Sequence, residues 1–401
     1  MDRPVYELKS KPATLGSYEE AMEAVQAMKP KLRERAAEAE HPRRVPPQNV
    51  ADLLECGLYG VMTPKRWGGS ELGSRALIDA SIELSSACGS TGWVYMLWTA
   101  HMWLMALFPL KAQEEMWENP NTLASSVVNT SGDVIPVDGG YRWTGKGFFS
   151  SGVDHCNWLT ALVGIKREEG QPPERSWILL SRDQFEIVDD WHTVGLKGTG
   201  SKTIVINDAF IPEHRYVSGK EIEAGDSPGA HIHDHGMYCA PSTANFTAAM
   251  GSPAVGAAKG FLDLFEQRLA SRVKVAETPA PTADGYIANM NRFAAASCQL
   301  EALHALTRQN AAQYSAVPAS TVTMSQRMAC MRDQAFSAQM ARRTINGLWE
   351  EAGGSNLFES SELQRFWRDT NAAAAHHGLT WDWQSIAWSK IQLGVSTSPF
   401  V

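Results

Sequence analysis

One apolar stretch dominates the hydrophobic and polar pattern of this 401-residue chain. Residues 89–110 contain no Asp, Glu, Lys or Arg, and 93–110 are almost wholly apolar, which is long enough to span a membrane. His101 in its middle, Pro109 at its end and the lack of a basic cluster before it argue instead for a helix buried in protein. The flanking pattern is also helical. Residues 18–40 are rich in Glu, Ala, Met and Lys without a glycine and predict a helix that Pro30 kinks or splits. Pro46 and Pro47 open a second helix to Leu58, Gly68 to Ser70 form a loop, and Ser74 is placed to cap a helix reaching Ala87. Thr91 is placed to start the apolar helix, and 111–118 form a short further one.

From about Leu123 the period changes to two. Residues 133–137, 141–144, 158–165, 177–181, 185–189 and 202–210 are alternating or apolar runs separated by turn residues, with Gly139-Gly140 between the first two. They predict an antiparallel sandwich or barrel of about 90 residues. After Pro212 the chain turns helical again, over 246–272, 285–315, 322–351 and 362–392. The expectation is therefore an α+β chain, mostly α. A helical domain (1–120) precedes a β-domain (121–217), and a C-terminal four-helix bundle (218–401) follows. Clefts where three layers meet are favoured cofactor sites.

Composition narrows the class. Forty-four per cent hydrophobic residues with 14 Trp, 13 Phe and 15 Met exclude a disordered chain. A net charge of −8 without a basic stripe argues against nucleic acid as a partner. Six isolated cysteines without a CxxC pair, and no secretory leader pattern, point to reduced thiols and a cytoplasmic protein. His231, His233 and His235 alternate around Asp234 and would share a face if extended, as metal ligands do. The segment follows Asp226-Ser227-Pro228-Gly229 and reads better as a solvated loop, so no metal is expected.

Three segments carry candidate chemistry. Gly195 to Ser201 is neither a P-loop nor a GxGxxG fingerprint, yet a tight turn with free N–H groups and the Thr199 and Ser201 hydroxyls suits a phosphate or a flavin edge. On this segment alone, a plain hairpin turn is the favoured reading. In Phe149-Ser150-Ser151-Gly152 small hydroxyl residues before a glycine let a flat ring approach the backbone. In Ala372 to Trp381 four alanines precede His376, leaving room for a histidine acting as general acid or base, or merely packed between helices.

Together with Tyr59 to Pro64, Trp67 to Gly69, Gly89 to Trp93, Asp154 to Cys156, Trp191 to Ser201 and Arg368-Asp369, these segments resemble the acyl-CoA dehydrogenase superfamily along nearly the whole chain. The closer resemblance is to its flavin-dependent monooxygenase branch, the oxygenase components of two-component aromatic hydroxylases. That resemblance implies reduced FMN or FAD supplied by a separate NAD(P)H:flavin reductase, with O2 as co-substrate. A C4a-(hydro)peroxyflavin would form and hydroxylate a small aromatic ring such as a phenol or indole.

It also implies residue roles. Ser151 would lie beside flavin N5, with Phe149 and Trp191 walling the ring and Ser150, Gly152, Thr199 and Ser201 around it. His376 would act near the flavin and substrate. His101 and Ser126 would hold the substrate's polar group, with Trp93 and Met96 as walls beside Trp98, Met102 and Trp103. Arg272 and the loop Gly353-Gly354-Ser355 would reach a neighbouring subunit's flavin phosphates in a homotetramer, a dimer of dimers.

Two departures stand. Cys239 occupies the place of an expected arginine in Tyr238-Cys239-Ala240-Pro241, and Glu359 aligns with the catalytic base of true acyl-CoA dehydrogenases. An FAD-dependent dehydrogenase with Glu359 as base is thus the alternative. The missing Arg-x-x-Phe-Gly after Arg272, together with Ser151, His101 and His376, favours the oxygenase.

Overall fold

The computed structural model describes residues 8–167, 170–276 and 283–396. Five helices come first: α1 (Tyr18–Glu34), α2 (Pro47–Glu55), α3 (Gly73–Ser85), α4 (Gly89–Met105) and α5 (Leu110–Trp117). In α1 the Ser17 hydroxyl accepts from the Glu20 N–H, and the Glu20 carboxylate accepts from the Gly16 N–H. Its buried stripe is Ala21, Val25, Met28 and Leu32, one helical face. Pro30 stays inside the helix, which ends at Glu34 rather than near residue 40; Arg35 beyond it bonds Asn49 and Asp52 of α2. Ser74 does not cap α3; its hydroxyl is buried and donates to the Ala244 carbonyl. Thr91 lies within α4, which begins two residues earlier.

α4 is buried at every position except Leu97 and has no polar face. It runs through the centre of the molecule, against α3 and the C-terminal helices on one side and the β-domain on the other. Among the described residues no helix is long and apolar enough to cross a membrane. All six cysteines are unpaired.

The β-domain is one eight-stranded sheet: β1 (Ala124–Val127), β2 (Asn129–Val137), β3 (Gly140–Ser150), β4 (Trp158–Ile165), β5 (Glu174–Ser181), β6 (Glu186–Val188), β7 (Lys202–Pro212) and β8 (Tyr216–Ser218). Neighbours run β6-β7-β3-β2-β4-β5-β8. The sheet is not wholly antiparallel. β1 lies parallel to β4, with Ala124 opposite Trp158, and β2 meets the far end of the same strand at Ile165. Residues from both wings, among them Trp143, Ile204 and Ile206 on one and Leu159, Ile178 and Leu180 on the other, form a single apolar cluster. The sheet therefore curls around its own core.

Beyond it come α6 (Gly219–Ala224), α7 (Ser242–Asn245), α8 (Ser252–Ala276), α9 (Ala283–Tyr314), α10 (Met324–Trp349), α11 (Glu362–Ala373) and α12 (Trp381–Gln392). The single helix expected over 362–392 is two. The break at 374–380 contains a short 3-10 turn, and it brings His376 out of the helix and toward the centre. The main core runs unbroken from α1 to α11, so the first and last helices share one interior.

Candidate active site

The site begins on α4. His101 follows Trp93 by eight residues, a little over two turns and about 12 Å along one face. It is 1% exposed. Its Nδ1 lies 2.7 Å from the Ala124 carbonyl of β1; since a carbonyl only accepts, Nδ1 carries the proton. Nε2 is then an acceptor, and it is buried without a partner. Burial pushes the imidazole down to about 4 against a weaker upward pull from the Ala124 bond, so the ring is neutral at pH 7. Phe246 packs against it at 5.8 Å, and Trp177 meets Phe246 edge-on at 5.3 Å. Met96 is buried on the same helix, and Ser126 is half-buried on β1.

At the N-terminal end of α4 lies a run of hydroxyls. The Trp93 Nε1–H donates to Ser151 Oγ at 3.2 Å; Ser151 bonds Ser201, and Ser201 bonds Thr199, each at 2.7 Å. Thr199 Oγ1 in turn donates to the Leu196 carbonyl at 2.9 Å. Behind Ser151, Ser125 donates to its carbonyl and bonds Ser150 Oγ, both at 2.8 Å. Four backbones here are left-handed: Phe149, Gly152, Leu196 and Gly200. Gly152 admits nothing larger, because at φ +69° a Cβ would also stand 2.5 Å from the Trp98 ring. Phe149 pays for its φ of +64° with position: it is 62% exposed, beside Trp191 edge-on at 6.2 Å.

His376 closes the site from the break after α11. Its ring lies 5.5 Å from Trp93 and 4.5 Å from His377. The Gly378 N–H donates to Nδ1 at 3.1 Å, so the neutral ring carries its proton on Nε2, the opposite tautomer to His101. Burial, and secondarily His377, push His376 down to about 3. As a residue His376 is half-buried.

The structure thus brings together Trp93, Ser150, Ser151, Gly152, Thr199, Ser201 and His376, with Phe149 and Trp191 at their rim and His101, Met96 and Ser126 further along α4 and β1. Other expected residues stand apart. Arg272 belongs to α8, but its side chain lies outside what is described. Gly353, Gly354 and Ser355 are exposed after α10 and bond none of the site's groups. Glu359 is exposed in the turn before α11, where nothing encloses it as a base. The three histidines do not share a face: His231 pairs with Asp226, His233 bonds Gln113 and packs on Tyr238, and His235 caps the turn at Met237. His233 is half-buried rather than solvated. Sequence reasoning missed Ser125, Phe246, Trp177 and the role of Asp369. The adjacent pair Ser125-Ser126 in an otherwise apolar strand was the available signal, since successive strand residues face opposite ways.

A shelf with two aromatic rings at its edge, hydroxyls along one side and glycine where a backbone must be bare fits a flat tricyclic ring such as a flavin. Family matches give the same class. Residues 19–120 match the acyl-CoA dehydrogenase N-terminal domain and 248–381 the acyl-CoA dehydrogenase C-terminal domain. The chain belongs to the acyl-CoA dehydrogenase family, in its branch of flavin-dependent monooxygenase oxygenase components.

Among its relatives, the oxygenase subunit HsaA of Rhodococcus jostii is 35% identical over 88% of this chain and 93% of its own. The FADH(2)-dependent resorcinol hydroxylase oxygenase component of a Rhizobium species is 33% identical over 88% of both chains. The crystal structure of the Mycobacterium tuberculosis HsaA monooxygenase superposes with a TM-score of 0.89 at 30% identity, covering 96% of this chain and all of that one. Oxygenase components of this kind work with a separate flavin reductase. The dehydrogenase alternative built on Glu359 is not favoured.

Proposed function

We propose that this enzyme hydroxylates a small phenolic or indolic ring held between His101 and the Ser151 shelf, and that His376 acts as a proton donor at the shelf. The observation carrying this reading is the opposed tautomers of two neutral histidines, His101 on α4 and His376 against Trp93 of the same helix. His101 Nε2 is a buried acceptor, which suits a substrate O–H or N–H. Drawing that proton toward Nε2 enriches the ring in electrons, and Ser126 orients the same polar group. Phe246, Trp177, Trp93 and Met96 would wall a dry, aromatic site for the substrate, with the buried Trp98, Met102 and Trp103 of α4 behind.

Reduced FMN or FAD, when bound with O2, supplies the electrophilic oxygen. Ser151, oriented by Ser201 and Thr199, would lie at its N5 side; Ser150 and Gly152 would let the ring approach, and Phe149 and Trp191 would flank it. His376 would serve this end as the donor, through its Nε2–H. Relatives named for resorcinol, p-hydroxyphenylacetate and indole-3-acetate support a phenol or indole as substrate.

In this reading three units, 1–120, 121–217 and 218–401, meet at the site, and the protein works in the cytoplasm as a homotetramer. Exposed apolar side chains on and after α12, Trp383, Ile386, Leu393 and Val395, support burial against further copies. Arg272, Gly353, Gly354 and Ser355 would then reach a neighbour's flavin phosphates. The test is anaerobic mixing with chemically reduced FMN or FAD, followed by stopped-flow exposure to O2. A near-ultraviolet transient before oxidised flavin appears is expected; oxidation at the free-flavin rate removes the reading.

A further inference from the structure

Asp369 is a buried carboxylate, 3% exposed, that the chemistry above does not use. It stands on α11 seven residues before His376. Its Oδ1 accepts from the Leu196 N–H at 2.7 Å. Its Oδ2 lies against the first turn of α4: a methyl on Gly89 would approach it to 2.7 Å. The free N–H groups of that 17-residue helix carry partial positive charge, and no side chain caps them at Cys88. Desolvation nevertheless dominates and pushes the carboxyl up to about 6.

Arg368 completes the grip. Its Nη1–H donates to the Val194 carbonyl and its Nη2–H to Glu40, both at 2.7 Å. Between them Gly195 is seated so closely that a Cβ would stand 2.4 Å from the Arg368 carbonyl oxygen. Three successive loop residues are thus fixed by two successive residues of α11. From Leu196 the connection continues: its carbonyl accepts from Trp191 Nε1 at 3.1 Å and from Thr199, and Thr199 leads through Ser201 and Ser151 to Trp93 and the His376 ring. Leu196 sits at φ +51°, a conformation that persists in a non-glycine residue only where its surroundings over-determine it.

We infer that Asp369 is a positioning residue that latches the 191–201 loop to α11 and α4, so that the Ser151 hydroxyl run and His376 share one frame. The inference rests on the reading of these residues as the flavin shelf for its catalytic consequence, but the latch itself is a property of the protein alone.

The test is hydrogen–deuterium exchange of the protein without flavin, for wild type, Asp369→Ala, Asp369→Asn and Arg368→Leu. Loss of a bond to a charged group predicts about tenfold faster exchange across 191–201 in Asp369→Ala, with 202–212 and 362–373 within about twofold of wild type. Asn keeps the acceptor and restores protection; Arg368→Leu opens the same loop by a smaller factor. With reduced FMN, O2 and resorcinol, product per flavin oxidised should fall about fivefold in Asp369→Ala while KM for resorcinol moves less than about twofold, since His101 is untouched.

Unchanged exchange over 191–201 in both Asp369→Ala and Arg368→Leu overturns the latch. So does opening spread evenly over α4, α11 and the loop, which marks a plain structural staple. If Asp369→Ala does not fold, Arg368→Leu decides by the same two outcomes. Wild-type protein that leaves the rate of flavin oxidation unaltered removes the proposed function and leaves the exchange result standing.

Discussion

The two ends of the site are built on different principles. At the His101 end the polar groups come from regular elements, α4 and β1, and the tautomer is set by a strand carbonyl. At the Ser151 end Ser151, Gly152, Thr199, Ser201 and His376 come from turns, one of them at the end of β3, and from a helix break; four backbones are left-handed, and hydroxyls from separate segments hold one another. A small polar substrate needs one fixed acceptor in an apolar wall, which helix packing provides. A large flat ring needs bare backbone and donors along an edge, which regular elements cannot offer because their N–H groups are already bonded. On the proposed reading, strain collects where the broad ligand would be received, while the acceptor for the small one sits in unstrained structure.

The comparison breaks first at His101. Replacing it with Phe removes the Nε2 acceptor while keeping the ring volume, and product per flavin oxidised should fall about 100-fold with peroxide in its place. Retention of more than about a tenth of wild-type product, measured by chromatography, would detach His101 from the substrate.

Next comes pH. His101 titrates near 6.5 when unfolded and about 4 when folded, so the unfolded chain binds more protons in between. Its contribution to stability is full above about pH 6.5 and is lost as pH falls toward 4, by about 2 kcal/mol at pH 4.5. The difference in urea-unfolding free energy between pH 7 and 4.5 should shrink by that amount in His101→Phe. His376→Phe should shrink it in the same direction, since burial also pushes that ring down; an unchanged difference in both variants would show that neither ring is held neutral by the fold. Asp369, raised in the fold, acts in the opposite sense and cancels in the comparison with wild type.

Gly152→Ala sharpens the claim about strain. At φ +69° and against Trp98 it should cost about 1.5 kcal/mol, read as a lower melting temperature, and weaken reduced-flavin binding. An unchanged melting temperature would show that the turn yields freely. The smallest effect is expected from Ser151→Ala, about 1 kcal/mol, because Trp93 and Ser201 lose one shared partner. It should shorten the near-ultraviolet transient several-fold and leave substrate KM within about twofold; an unaltered lifetime would take Ser151 out of the shelf.

Much of this was legible in the chain. The uncharged stretch around Trp93 and His101 requires burial whatever surrounds it, since 22 residues without a charge have no face to give to water. A largely apolar run between Asn157 and Lys166 marked β4 to the residue, because most of its side chains are buried. The family-like motifs singled out Ser151, Thr199, Ser201 and His376, which the fold brings together. What failed were junctions. Residues 362–392 read as one helix because alanine and tryptophan tolerate helix well, and only the packing of Leu379 and the turn at Gly378 impose the break that frees His376. The parallel pairing of β1 with β4 joins residues more than thirty positions apart, which no local pattern encodes.

The sequence by itself determined the order of layers, the buried central helix and the candidate side chains, because hydrophobic period and residue type are local quantities. Tertiary structure alone decided which nitrogen of each histidine carries its proton. It also decided that Ser125 rather than Ser126 backs Ser151, and that Asp369 reaches Leu196 across 173 positions. Those are relations between partners, fixed only when burial removes water and each polar atom must find another within hydrogen-bond distance.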